Sequence, residues 1–298
     1  MHESPRPTLE RVWIAYLVAV GTVALAAPGG GDERHAPWPL LALHAALLVA
    51  ALLLGRFATR RGADAARPWR ALMAIAGLPT VFSALHWLLP AVHPEPYEFD
   101  LLALDRWLFG GDAAAVIGTP SPALAELLQL SYGAFYFLCV AAVVAAGVGS
   151  GRAAFDRALL LTVGGFLVSY LGYLLVPVLG PNRVFEGPPP EGLWLAAQLH
   201  QALDAAEANP WDCFPSGHTM MTVTALLVTW RPARVAFWLL SVPVMLVIVS
   251  TVVLRYHWLG DVLAGAALAW PCARFFDWLG DRDGWPRSEP AAAQVSLK

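Results

Sequence analysis

The chain has 298 residues, of which 58% are hydrophobic and only 14% are charged, whereas charged residues make up about a quarter of soluble domains. This composition excludes an ordinary soluble domain. The formal net charge is -3, without the clusters of Lys and Arg that nucleic-acid binding requires, so we expect no nucleic-acid partner. Cys139, Cys213 and Cys272 provide neither a disulfide framework nor the spacing of a zinc site.

Eight apolar runs approach the roughly 20 residues that a helix needs to cross a bilayer core. In chain order these runs are Trp13–Ala27, Trp38–Gly55, Ala71–Leu89, Leu127–Val148, Ala158–Leu179, Pro215–Trp230, Val235–Leu254 and Leu259–Phe276. We therefore predict an all-α integral membrane protein with about eight transmembrane helices. A competing interpretation makes the first run a cleaved signal peptide, because Arg6 and Arg11 precede it and Ala24-Leu25-Ala26 resembles a cleavage site.

The distribution of Lys and Arg predicts the orientation, because these residues concentrate on the cytoplasmic side of a membrane. With the N-terminus inside, fifteen of the nineteen fall on inner segments. The four exceptions are Arg34, Arg106, Arg183 and Arg255. We predict that both termini are cytoplasmic.

The runs divide the chain into three parts. We expect a pair of transmembrane helices over residues 1–70, a helical core over 71–278 and a cytoplasmic tail over 279–298. All three belong to one membrane-embedded protein, because the apolar runs leave no stretch long enough for a second, soluble core.

Two outer segments, 90–126 and 180–214, are too long to be simple turns, and long ordered connections are usually functional. In the second segment Leu195, Leu199 and Leu203 recur every four residues. This spacing predicts a helix that lies on the membrane surface.

The sixth run opens with a polar motif, Cys213-Phe214-Pro215-Ser216-Gly217-His218-Thr219. Pro215 suits the first position of a helix because it has no N–H to leave unpaired. The free amides and the dipole at a helix N-terminus attract anions, and Ser216 and Gly217 would let a phosphate approach closely. His218 would then lie where it can donate a proton to that anion.

A second polar motif follows the seventh run, where His257 precedes Asp261 by four residues. On a helix this spacing places two side chains on one face, so that the carboxylate can orient the imidazole and select its tautomer. The pair predicts a nucleophilic or basic histidine.

Each of these residues also has an ordinary structural explanation. His218 could be an interfacial histidine, His257 part of an aromatic belt, and Asp261 a helix cap. Their convergence on the outer side, together with Arg183 and Arg255, favours a catalytic site, because ionisable groups at membrane depth are costly.

The remaining histidines lack these features. His44 and His86 have no carboxylate four residues away, and His200 lies in an exposed segment. A His-Glu-x-x-His motif or another metal-ligand spacing is also missing from the sequence. We therefore expect neither a metal nor another cofactor.

Phe214-Pro215-Ser216-Gly217-His218 together with His257-Trp258-Leu259-Gly260-Asp261 resembles two signatures of the type 2 phosphatidic acid phosphatase superfamily. The resemblance covers roughly residues 120–278. It implies a six-helix core with an extracytoplasmic active site, in which His257 attacks phosphorus to form a phosphohistidine. It also implies that Asp261 orients His257 and that His218 protonates the leaving oxygen.

Two departures from the superfamily pattern stand out. Arg183 is followed by Val184 instead of proline, and Val176 occupies the position of the usual lysine. The arginine expected six residues before His257 is replaced by Thr251. Arg255 lies one helical turn further on, and positions four apart share a helix face, so Arg255 could reach the same phosphate.

The chain resembles the inositol phosphorylceramide synthase branch more closely. The pattern Ser250-Thr251-x-x-Leu254-x-x-His257-x-x-x-Asp261-x-x-Ala264-Gly265 is similar to that branch, and so is Leu104-Asp105-Arg106-Trp107-Leu108-Phe109-Gly110. Members of this branch transfer a phosphorylated head group between lipids.

Three functions remain open from the sequence. The first is transfer of a phosphoryl-linked head group from a phospholipid donor to a lipid alcohol, because two candidate cations, Arg183 and Arg255, suit a singly charged phosphodiester. The second is hydrolysis of a lipid phosphate with water as the acceptor. The third is a transporter or scaffold without chemistry.

Overall fold

The computed structural model describes residues 7–27, 38–93, 95–110, 113–185, 191–206 and 210–285. Its helices in chain order are α1 Thr8–Ala26, α2 Trp38–Arg61, α3 Ala63–Val92, α4 Glu98–Phe109, α5 Ala113–Ile117, α6 Pro122–Gly133, α7 Phe135–Leu175, α8 Pro181–Val184, α9 Ala196–Ala206, α10 Gly217–Thr229, α11 Arg234–Val253 and α12 Leu259–Arg282. Within these ranges the β-type pairing is a single isolated bridge between Val178 and Asp212. The predicted all-α class is confirmed.

Five helices, α1, α2, α3, α7 and α11, are long and apolar enough to cross a membrane. The protein is therefore an integral membrane protein, as predicted. The boundary expected at residue 70 falls inside α3, which packs against both the first two helices and α7.

The longest helix, α7, folds back on itself. Ser150 and Gly151 leave the helical region of φ and ψ, and Gly151 adopts a φ of 80°. Consequently the rings of Phe135 and Phe166, one on each arm, lie 6.0 Å apart. The two arms, 135–149 and 152–175, correspond to two of the predicted runs.

The predicted count of eight is not confirmed: α7 contains two of the predicted runs, and α10 and α12 do not meet the standard of the five helices. At 1.5 Å per residue the 13 residues of α10 extend about 20 Å, which is shorter than a bilayer core of about 30 Å. The 24 residues of α12 are long enough but include several charged side chains: Asp261, Arg274, Asp277, Asp281 and Arg282.

Ion pairs join the helices at the end of the bundle where α7 reverses. Arg70 on α3 donates to both carboxylate oxygens of Glu10 on α1, at 2.7 and 3.1 Å, and both side chains are buried. Arg157 on α7 binds Asp277 on α12 at 2.6 Å. The predicted site lies at the opposite end, where α10 begins and α11 ends.

Candidate active site

The loop before α10 is shaped by a helix cap. Ser216 is the N-cap residue, and its hydroxyl accepts a hydrogen bond from the backbone amide of Thr219 at 3.2 Å and donates one to the Thr219 hydroxyl at 3.1 Å. The helix begins at Gly217, two residues later than the sequence-based placement of Pro215 at the first helical position. The Ser216 side chain is buried and used by the helix itself.

Two glycines let this loop pack tightly between neighbouring helices. A Cβ on Gly217 would collide with the hydroxyl of Tyr173 on α7, and a Cβ on Gly265 of α12 would collide with the carbonyl oxygen of Ser216. Packing against Tyr173 therefore requires a glycine at position 217, whether or not a phosphate approaches it. This close packing holds His218 at the first turn of α10.

His257 and Asp261 meet as predicted, although the prediction that they share one face of a helix is wrong. Because α12 begins at Leu259, His257 precedes the helix, with Trp258 as the N-cap residue. Asp261 Oδ2 accepts a hydrogen bond from the Trp258 amide at 3.1 Å, and Oδ1 lies 3.2 Å from His257 Nδ1. The contact therefore results from a helix cap.

The opposite nitrogen of His257 faces the second histidine. His257 Nε2 lies 3.3 Å from His218 Nδ1, and both rings are buried. The His218 ring packs between Tyr132, with ring centroids 4.3 Å apart, and Phe135, also at 4.3 Å. The structure thus forms a row of three side chains in the order Asp261, His257, His218.

The electrostatic surroundings of His257, which lies between α11 and α12, favour its protonated form. Burial alone lowers the pKa of His257, but the nearby carboxylates of Asp261 and Asp212 outweigh burial and raise it. Burial in turn raises the pKa of Asp212 to about 6, against the opposing effect of His257 and Arg183. The pKa values of His257, the candidate nucleophile, and of Asp212 therefore depend on each other.

A small cavity of about 30 Å³ reaches His257. Its walls are formed by Tyr132, Gly180, Asn182, Arg183, Asp204, Pro210, Asp212, Cys213, Tyr256 and His257. Of the two predicted arginines, Arg183 lines this cavity, and its guanidinium pairs with Asp204 on α9 at 3.3 Å.

Arg255 is not among the residues that line the cavity. The expectation that it extends the helical face of Thr251 is wrong, because α11 ends at Val253 and Arg255 adopts a φ of 63°. Its backbone carbonyl instead accepts a hydrogen bond from Asn182 at 2.8 Å. The Arg255 backbone therefore links the loop before α12 to α8.

Three further carboxylates support the site and were not identified as site residues from the sequence. Asp105 on α4 accepts hydrogen bonds from the amides of Leu259 and Gly260, Asp212 lines the cavity, and Glu126 on α6 accepts from the amides at the start of α9. All three lie in the outer segments 90–126 and 180–214, which were expected to be functional, and the segment around Asp105 also resembles one branch of the superfamily.

The helix predicted from the leucine spacing in segment 180–214 is confirmed as α9. Its His200, which the sequence placed in an exposed segment, is mostly buried and lies with Nδ1 2.5 Å from the Tyr256 hydroxyl. That hydroxyl donates to Gln129 Oε1 at 3.1 Å. The helix therefore packs across the residues that line the cavity.

The described residues include one group that could hold a metal ion, formed by Cys213, His257 and Asp261. One ligand atom of each lies within 4.8 Å of the others. Sequence spacing did not predict this group, because Cys213 is distant from the other two along the chain. The Cys213 thiol donates to the Tyr256 carbonyl at 3.4 Å.

The family model of the PAP2 superfamily matches residues 99–274, more than half of the chain. Comparison with curated proteins and with solved structures gives no match. The chain therefore belongs to the PAP2 superfamily, which supports a lipid phosphatase or phosphotransferase type of function. The match includes His218, His257 and Asp261 and leaves α1, α2 and α3 outside.

Proposed function

We propose that this protein is a metal-independent membrane enzyme that transfers a phosphoryl-linked head group between lipids through a phosphohistidine at His257. One observation carries the proposal: His257 Nδ1 faces Asp261 at 3.2 Å while Nε2 faces His218 at 3.3 Å. A histidine whose two nitrogens face a carboxylate and a second imidazole has the arrangement of an activated nucleophile.

The geometry supports a separate role for each nitrogen of His257. If Asp261 retains the proton on His257 Nδ1, then Nε2 carries the lone pair and His218 Nδ1 supplies the hydrogen between the two rings. A phosphoryl group that enters between the rings is attacked by Nε2. His218 then donates its hydrogen to the leaving oxygen, so the bond from phosphorus to that oxygen breaks as the bond to nitrogen forms.

The charges around the cavity support a phosphodiester donor. Arg183 is its arginine, whereas Asp204 and Asp212 contribute carboxylates to the same walls. A phosphomonoester with close to two negative charges would be opposed by these carboxylates, while a phospholipid with one charge matches a single guanidinium better. Gly217 would contribute to phosphate binding through its backbone amide. The Ser216 amide already donates to the Asp261 carbonyl oxygen at 3.1 Å and its hydroxyl caps α10, so Ser216 would act by shaping the loop.

The membrane orientation belongs to the same proposal. Fifteen of the nineteen Lys and Arg residues fall on the segments assigned to the cytoplasmic side, and the ion pairs of Arg70 and Arg157 lie at the end of the bundle opposite His257. This distribution supports an extracytoplasmic active site with both termini in the cytoplasm.

The decisive experiment incubates the purified protein with vesicles of phosphatidic acid, or of phosphatidylinositol with ceramide or diacylglycerol, and identifies the products. A new phospholipid is the expected result, and release of free phosphate would indicate a lipid phosphatase instead. The His257→Ala variant should fold and lose turnover. Activity of this variant within about tenfold of wild type would contradict the proposed nucleophile.

A further inference from the structure

A second cavity lies between α1 and α2, at the end of the bundle opposite the histidines. Its volume is about 360 Å³, and three arginines line it: Arg11 on α1, and Arg56 and Arg60 on α2. Both helices lie outside the matched range 99–274. The cavity is therefore separate from the proposed catalytic site in space and in sequence.

The cavity presents positive charge to a ligand. Arg56 and Arg60 are four residues apart and so lie on the same face of α2. The single carboxylate among the lining residues, Glu10, is already bound through both oxygens by the buried Arg70. Arg11 contacts Asp283 only at 3.4 Å and remains 54% exposed, so its guanidinium can turn toward a ligand.

The walls below the arginines are apolar. Ile14 on α1 and Ala51 and Leu52 on α2 line the same cavity. A soluble anion would use only the arginines and gain nothing from these side chains. A molecule with a phosphate beside a hydrocarbon chain would contact both parts, which is the chemistry of a phospholipid.

We propose that this cavity binds an anionic phospholipid. Arg11, Arg56 and Arg60 hold its phosphate and head group, because guanidinium forks form paired hydrogen bonds with phosphate oxygens. Ile14 and Leu52 contact the first carbons of an acyl chain. The bound lipid joins α1 to α2 on the part of the protein that the family match does not include.

The test measures lipid binding by the full-length protein in phosphatidylcholine nanodiscs, with phosphatidylglycerol as the added lipid and native mass spectrometry as the readout. The variant carries Arg56→Gln and Arg60→Gln, and Arg61→Gln is the matched control, since Arg61 is exposed on the same helix but does not line the cavity. The double variant should bind about 25-fold more weakly, at roughly fivefold for each arginine lost, and the control should bind as wild type.

Three results would overturn the proposal. Equal weakening by Arg61→Gln would show a general attraction to surface charge, and unchanged binding by the double variant would show that the lipid sits elsewhere. Complete displacement by inorganic phosphate at ordinary ionic strength would assign the site to a soluble anion. Melting temperatures without added lipid should agree among the three proteins, so that weaker binding is not a folding defect.

Discussion

The carboxylate of Asp105 accepts a hydrogen bond from the backbone amide of Gly260 at 2.7 Å, across 155 positions of sequence. Its other oxygen accepts from the amide of Leu259 at 2.9 Å. Asp105 on α4 therefore caps the helix whose first turn carries Asp261. A residue outside the row of catalytic candidates thus holds one end of that row in place.

Asp105→Ala should reduce both stability and turnover. Loss of a helix cap costs about 1 kcal/mol, up to about 2, and a displaced Asp261 should lower kcat about 10- to 100-fold, because small errors in position are costly in catalysis. Thermal unfolding and steady-state kinetics measure the two effects. Asp100→Ala on the same helix is the control, since Asp100 is exposed; a similar loss in this control would refute the capping role.

His218→Ala should separate substrates by their leaving group. Removal of a general acid slows esters with poor leaving groups by about 10²- to 10⁴-fold, whereas a 4-nitrophenyl ester needs little protonation. Rates with a phospholipid donor and with a 4-nitrophenyl alkyl phosphodiester provide the comparison. His86→Ala, at an exposed position on α3, should leave both rates unchanged, and equal losses for His218→Ala would argue against proton donation.

Asp212→Asn should move the acidic limb of the pH profile to lower pH. In the proposed mechanism the neutral form of His257 is the nucleophile, so activity should fall as pH drops below its pKa, which Asp261 and Asp212 raise. The pKa of Asp212 is itself about 6, so the carboxylate is ionised at neutral pH, where it also faces Arg183. Loss of its charge makes His257 harder to protonate.

The measurement for Asp212→Asn is the burst of 4-nitrophenol release, which in the proposed mechanism reports formation of the intermediate at His257 before its breakdown. Wild type and variant should be compared over roughly pH 5 to 9, the range in which histidines titrate. An acidic limb that stays in place, or moves to higher pH, would show that Asp212 does not act on His257.

Chelator should leave the rate unchanged. Two histidines, an aspartate, an arginine and a helix N-terminus can provide the nucleophile, the acid and charge stabilisation without a metal. Because Cys213, His257 and Asp261 could together bind a metal ion, the chelator experiment can contradict this prediction. The metal-free mechanism would be wrong if EDTA inactivated the enzyme, one added metal restored activity, and the Cys213→Ser variant lost bound metal.

The sequence was sufficient to predict contacts between residues that are close together along the chain. His257 and Asp261 were correctly paired because they are four residues apart, although the contact forms at a helix cap and not along a helix face. The same argument failed for Arg255, since it assumed that α11 continues beyond Val253. Periodicity identifies apolar runs well but does not locate the residue at which a helix ends.

Contacts between distant segments could not be derived in the same way. Asp105 meets Gly260 because α4 packs against the start of α12, and Asp212 enters the cavity because its backbone pairs with Val178. Neither partner is visible in a local pattern. An isolated aspartate has many ordinary explanations, and only the three-dimensional arrangement distinguishes Asp105 and Asp212 from other acidic residues.

Arg183 and Arg255 should contribute unequally to phosphate binding. Arg183 lines the cavity, so Arg183→Ala should raise KM for a phospholipid donor by about tenfold or more, as expected for loss of a charged hydrogen bond. Arg255 adopts a positive φ that glycine accepts freely, so Arg255→Gly keeps the loop intact and removes only the side chain. Its kinetics should stay within about threefold of wild type, less than the loss of one hydrogen bond to a charged group. Steady-state kinetics on both variants tests this difference. A larger effect from Arg255→Gly would show that the Arg255 side chain binds the phosphate.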